Sequence, residues 1–438
     1  MRASALKYSI LSMTAALVSV ILLLIPLHAF LTVWASSLFG HYAAIRLWKE
    51  AFLIVCLLGV LYLLATDKKI RSHTLTRRLV WLIVAYGLVN IIWGLVAYKH
   101  QAVTAKAVGY ALIINLRFPA FFLVTWAIAL RTSRLHKSWQ KLVLVPALVV
   151  VIFGLLQVFV LPQNFLTHFG YGPNTIEPFQ TINHNTHYVR IESTLRGANP
   201  LGAYLVIPIS ALAVLIVRGR RDWRYVLFLL ASLLTLCFSF SRSAWLGSMV
   251  SLVVVAGISL RSTHAKRIAF WAGVIGIFFL GGLALGLRHN VRAENLLFHT
   301  QSHSAVKTTS DQGHATALRN GLHDLLRQPL GQGPGSAGPA SVYNKHPARI
   351  AENYYVQIGQ ETGWIGLGLF LVINAGVAYL LWLRRSDSLA VSLLAAFIGL
   401  SFINLLSHAW ADDSLAYVWW GLAGIAMAVV AIPHEGDG

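Results

Sequence analysis

What this chain of 438 residues lacks narrows its class before any motif is read. It carries 15 acidic residues against 35 Lys and Arg, is 11% charged overall, and has two cysteines. So little charge beside 57% hydrophobic residues excludes a water-soluble globular protein, which could not cover that much apolar surface. Cys56 and Cys237 each fall inside an apolar run, so they read as core residues and imply no disulfide. Heptads, short-period repeats and low-complexity tracts are missing too, and no soluble domain can be cut away. Among 17 histidines none forms a His-Glu-x-x-His or comparable spacing, so neither a protein-built metal site nor a cofactor is expected.

What remains is a series of apolar runs of bilayer length. About twelve can be counted, at 10–30, 51–65, 79–98, 107–130, 142–161, 201–217, 225–240, 244–260, 268–287, 363–383, 389–408 and 415–432. The predicted fold is therefore an all-α polytopic membrane protein, a single integral membrane domain over residues 1–438. The first run follows Arg2 and Lys7 as a signal peptide would, but it is too long for a signal core and no small-x-small site closes it. It is expected to stay as a span.

A net charge of +20 would point to nucleic acid in a soluble protein, but here the placement of the charge excludes that partner. Of the 35 Lys and Arg, 20 sit in alternate short segments: Arg2 and Lys7, 68–78, 131–141, 218–224, 261–267, and Arg384 with Arg385. The positive-inside rule puts these segments and both termini in the cytoplasm. Segments 162–200 and 288–351 then face outside. The second is polar, Gly-rich and too long for a connector, so a large extracytoplasmic loop is expected between spans nine and ten, with short helices inserted in it. Residues 315–326 read as one such helix, with Leu318, Leu322, Leu325 and Leu326 set against Arg319, His323 and Arg327.

Polar residues on that outer side gather in four clusters. In 188–200, Arg190 and Arg196 flank Ser193-Thr194, and a helix opens at Asn199-Pro200. Guanidinium forks beside a helix N-terminus outline an anion site, although two interfacial arginines snorkelling to lipid headgroups would look the same. The tight turn at 239–243 holds Arg242 at the interface, where an unpaired charge costs about 1–3 kcal/mol, so an anionic partner is required. Arg117, next to Pro119 inside the fourth span, poses the same question, with a carboxylate partner and a substrate as the two answers. Gly331-Gln332-Gly333-Pro334-Gly335 reads as a tight turn, because no strand precedes it and no Gly-Lys-Ser or Gly-Lys-Thr follows. The fourth cluster offers His346, Arg349, Glu352, Asn353 and Glu361.

In this order the clusters resemble the O-antigen ligase and O-antigen polymerase family of bacterial polysaccharide enzymes. The resemblance rests on residues 190–202 (RIESTLRGANPLG), 241–244 (SRSA), Arg319 with 328–335 (QPLGQGPG), and 352–366 (ENYYVQIGQETGWIG). It implies a many-span protein of the cytoplasmic (inner) membrane whose large outer loop covers a cavity facing outside. The implied reaction transfers a glycan from an undecaprenyl diphosphate carrier to a hydroxyl of a glycan, lipid or protein acceptor, among membrane lipids and without a metal. Arg190 and Arg242 would bind the diphosphate, with Arg196 and Arg117 as further candidates, and Arg319, Arg349 and Asn353 would support the loop. Where the family has His-Asn, this chain has Glu352-Asn353, so Glu352 is the expected base and His346 its substitute. Glu352 pairing with Arg349 or capping the next helix is the plain structural reading.

Ligase and polymerase are not separated by these residues. A lipid-linked glycan transporter or flippase would need inverted repeats and polar breaks near the bilayer midplane, whereas charge here gathers at one face. A peptidoglycan polymerase of the shape, elongation and division type lacks the 190–202 and 328–335 clusters.

Overall fold

A computed structural model describes residues 2–182, 185–219, 222–268, 271, 273, 275 and 310–428. The apolar runs form a helical bundle: α1 (Ala5–Phe39), α2 (Tyr42–Thr66), α3 (Arg78–Lys99), α4 (Ala105–Ala129), α5 (Trp139–Phe159), α6 (Ala198–Val217), α7 (Trp223–Phe238), α8 (Arg242–Ser259), α9 (Ser310–Arg327), α10 (Tyr354–Leu383), α11 (Ser388–Leu406) and α12 (Asp413–Ala428). Nine of these are long and apolar enough to cross a membrane among the described residues. Of the other three, α7 and α12 have 16 residues each in this description, and α9 is the amphipathic loop helix. Nearly all of the run at 268–287, and segment 288–309 of the long loop, lie outside the described residues. A multi-pass, all-α membrane protein stands; the count of twelve is not reached here.

The chain departs from all-α at one place. Residues of the 162–200 segment form an antiparallel hairpin, β1 (Gln180–Ile182) with β2 (Asn185–Arg190), whose register pairs Gln180 with Arg190. Period-2 patterning over so few polar residues is too weak to announce a strand.

Of the nine long spans α6 is the most enclosed, packed by α7, α8 and α11, while α4 lies along α12. Trp410, Trp419, Trp420, Phe118 and Phe121 are almost fully buried at the heart of the apolar cluster. Close approach of α6 to α8 depends on Gly202, where a Cβ would stand 2.7 Å from that of Ala244 and 2.9 Å from that of Ser241. Both partners belong to the SRSA motif.

The bundle has two chemically different ends. At one, Lys7 meets Asp67 at 2.7 Å, Arg131 grips the same carboxylate, and Arg218 donates to the Ser386 carbonyl at 2.7 Å. These are the basic connectors expected to face the cytoplasm. At the other end lie the starts of α6, α8 and α10, the ends of α5, α7 and α11, and the 328–349 loop.

That loop is clamped to α10. Helix α10 starts at Tyr354, nine residues before the expected Gly363, because Asn353 caps it by accepting from Val356 N at 3.0 Å. Gly363 then breaks the helical path at φ +64°, and Trp364 N donates to the Pro329 carbonyl across the break. Gly333 N donates to the Glu361 carbonyl at 2.8 Å, and Gly335 N to the Glu361 carboxylate at 2.8 Å. The other carboxylate oxygen accepts from Asn115 Nδ2 at 2.8 Å. The glycine-rich turn is thus a tight turn, as expected, and it is the plug that joins loop, α4 and α10.

Candidate active site

Arg190 closes the hairpin. Its backbone neighbour Ile191 donates to the Phe238 carbonyl, so the strand exits along the end of α7. Arg190 Nε donates to the Ser239 carbonyl at 3.0 Å and Nη2 to Asn199 Oδ1 at 2.6 Å, which hangs the guanidinium between the α7–α8 turn and the start of α6. Burial, and then the neighbouring Arg242, push Arg190 down to about 10, a mark of two cations held together. Arg242 is the first residue of α8, presented by the strained turn at Phe240, φ +49°.

The two arginines line one cavity of about 420 Å³ with Asn199, Ser243, His314 and Glu352. Asn199 and Ser243 are second residues of α6 and α8, so two helix N-termini, with their positive dipole ends, border the same space. Such a concavity suits an anion.

Glu352 lines the same cavity, in a left-handed backbone conformation at φ +55°. A non-glycine residue there is uncommon and strained. Its carboxylate lies 3.6 Å from His314 Nδ1 and 3.9 Å from His408 Nδ1. Neither plain reading of Glu352 holds in this geometry. The helix cap is Asn353, and Arg349 is committed to Asp324 and Gln332. His408 is held below its usual range by burial, which outweighs the opposing pull of Glu352.

Other expected site residues divide clearly. Arg196 lines an adjoining pocket with Glu352 and His408 and meets Asp412 at 3.5 Å. Arg117 is buried, ion-paired to Asp413 and bonded to the Ala411 carbonyl at 2.6 Å, with Lys49 also on Asp413 at 3.0 Å. Of the two answers for Arg117, the carboxylate is the one in place; it does not line the cavity of Arg190 and Arg242. Ser193 and Thr194 turn inward, to the Val150 and Pro26 carbonyls, so this pair anchors the segment and offers nothing to an anion. Arg349 N donates to Ser341 Oγ within the loop, and Asn353 makes a second bond, from Nδ2 to the Leu405 carbonyl. Arg319 is exposed on α9, and the grip on that helix comes instead from Asp324, held by Arg349 and Gln360. His346 is exposed and is not among the cavity's lining residues.

Sequence reasoning missed His314 and His408. They approach Glu352 from a loop helix and from the α11–α12 connection, and no spacing in the chain relates them to it.

Residues 227–371 match the family model described as O-antigen ligase, while no curated protein matches the chain. The matched segment runs from α7 into α10 and so contains Arg242 and Glu352; Arg190 and Arg196 precede it. This match supports the resemblance read from the sequence, to the O-antigen ligase and polymerase family, and with it a membrane enzyme of polysaccharide biosynthesis of that general type.

Proposed function

We propose that the chain is a lipid-diphosphate-linked oligosaccharide transferase of the O-antigen ligase type, working at the outer face of the cytoplasmic membrane. The observation that carries this reading is the shared cavity: the guanidiniums of Arg190, at the end of β2, and Arg242, at the start of α8, line it together with a carboxylate that has two imidazoles nearby. Arg190 and Arg242 hold the diphosphate of an undecaprenyl-linked glycan. An acceptor hydroxyl oxygen attacks the anomeric carbon and forms the new glycosidic bond. The bond from that carbon to the diphosphate oxygen breaks, and its electron pair leaves as undecaprenyl diphosphate. Growing charge on that leaving group is what the arginines and helix ends neutralise.

The hydroxyl proton goes to Glu352, beside which the imidazoles of His314 and His408 stand; burial holds His408 below its ordinary range and so disfavours a second cation there. A carboxylate thus fills the place of the family's histidine. The 162–200 and 288–351 segments face outside in this reading.

Deletion of the gene, followed by analysis of surface glycan and of the undecaprenyl-linked pool, tests it. Loss of surface polymer with retained long lipid-linked chains is the expected ligase result. Accumulation of single repeat units would make the protein a polymerase, and an unchanged pool on both sides would overturn transferase activity altogether.

A further inference from the structure

A second cavity, of about 330 Å³, lies on the other side of Arg190. Arg190 and Phe240 belong to the walls of both cavities, so the two adjoin. The new one is built from the end of α5, the segment leading to β1, the exit of β2 and the end of α7. Its walls carry the rings of Phe165, Phe179 and Phe240, and among them the polar side chains of Gln157 and Glu192.

Glu192 is the informative residue. It is 1% exposed, and neither carboxylate oxygen has a hydrogen-bond partner among the described residues. Buried polar atoms are nearly always paired, and a wholly unpaired carboxyl is among the costliest groups to enclose. Nothing in the packing of this segment calls for it, since Ser193 next door already anchors the chain through Val150 and Gln157. Its oxygens are acceptors facing a space walled by aromatic rings.

We infer that this cavity is a saccharide subsite, in which a sugar ring lays its apolar C–H face on the phenylalanines and donates hydroxyl protons to Glu192. The inference rests on the proposed glycan transfer at the neighbouring cavity. A polyprenyl chain would match the rings but has no donor for Glu192, and a diphosphate has its proposed cations, Arg190 and Arg242, at the neighbouring cavity. A sugar supplies both the apolar face and the donors. The saccharide belongs either to the lipid-linked donor, trailing from its diphosphate on Arg190, or to the acceptor glycan; both present the same chemistry.

The test uses the purified full chain in detergent and three probes read by saturation-transfer NMR: oligosaccharide freed by mild acid from the cells' own lipid-linked pool, surface glycan cleaved from a deletion strain, and undecaprenyl diphosphate without sugar. Glu192→Leu removes the acceptors and keeps the bulk; Phe179→Ala, at a half-buried ring, removes a wall. At least one saccharide is expected to bind wild type and to weaken on the order of tenfold in both variants, and which one responds identifies its source. Undecaprenyl diphosphate binding is expected to stay unchanged in both. Because Glu192→Leu removes an unpaired buried carboxyl, its melting temperature should equal or exceed that of wild type, a combination that loss of folding cannot produce. Saccharide binding that is absent in wild type, or equal in all three proteins, overturns the subsite. Weakened undecaprenyl diphosphate binding in Phe179→Ala also overturns it and makes the cavity a prenyl channel. Failure of the diphosphate reading shows separately, as unaltered undecaprenyl diphosphate binding in Arg190→Ala and Arg242→Ala.

Discussion

Individual side chains in this protein announce their roles by the company they keep. Arg117 and Arg190 are both arginines in apolar surroundings, yet one is met by Asp413 and the other by carbonyl and amide oxygens with a second arginine nearby. Only the second arrangement leaves positive charge for a ligand. Arg242→Lys, which keeps charge but loses the planar fork, is expected to lower transfer roughly 10- to 100-fold with expression unchanged. Wild-type turnover in both Arg190→Ala and Arg242→Ala would remove these residues from the diphosphate site. Glu352→Gln should keep carrier binding and abolish transfer, whereas His346→Ala should leave turnover near normal; the reverse pair of results would move the base to the imidazole.

Glu192 makes a further prediction at this scale. Burial, reinforced by Glu177, raises its carboxyl to about 8, and Tyr171 is the other titratable neighbour that senses it. The folded state therefore keeps a proton that the unfolded chain gives up near the ordinary carboxylate value. Stability from this group is fully present at acid pH and is lost as pH rises towards about 8. Melting temperature in detergent should fall across that window in wild type, and the part due to Glu192 should vanish in Glu192→Leu. Identical slopes in the two proteins would show that Glu192 is not the group responsible.

Among the elements, the loop turn and α10 form one unit. Gly363 accommodates the Pro329 carbonyl because it has no side chain: a Cβ there would stand 2.3 Å from that oxygen, on a backbone already at φ +64°. Gly363→Ala is expected to cost about 1–3 kcal/mol in strain and to release the 328–349 loop from α10. Limited proteolysis would detect this as faster cleavage within the loop, with activity falling in parallel. Unchanged cleavage would mean that the clamp is held by Glu361 and the glycine turn alone.

For the whole molecule, the division between the end with the basic connectors and the end with the proposed site is a statement about topology. The site is expected outside, and the 68–78 connector inside. Cysteine placed at exposed His346, in a Cys237→Ser background, should react with an impermeant maleimide in intact cells or spheroplasts. Cysteine at exposed Thr76 should react only after the membrane is opened. The opposite labelling pattern would invert the protein and put the chemistry on the cytoplasmic side.

The sequence by itself determined what depends on local composition and on transfer between water and lipid. Apolar runs such as 79–98 and 389–408 had to become helices, because an unpaired backbone cannot lie in hydrocarbon. The charge alternation marked the ends, and the amphipathic pattern at 315–326 marked the loop helix. It also singled out Arg242, because a charge in that turn needs a partner, and Arg190 and Glu352 through the resemblance of the motifs that hold them. Tertiary structure alone decided which of the charged residues meet. Arg117 and Arg190 sit in equally unusual positions along the chain, and only packing gave the first to Asp413 and left the second on the cavity. His314 and His408 reach Glu352 from elements far apart in sequence, and Asp324 rather than Arg319 ties down the loop helix, because side-chain contact is set by where helices cross. The hairpin that aims Arg190 was hidden for a different reason: its strands are too short to carry a pattern, and the residue after them, Ile191, meets the end of α7 by a single backbone bond to the Phe238 carbonyl.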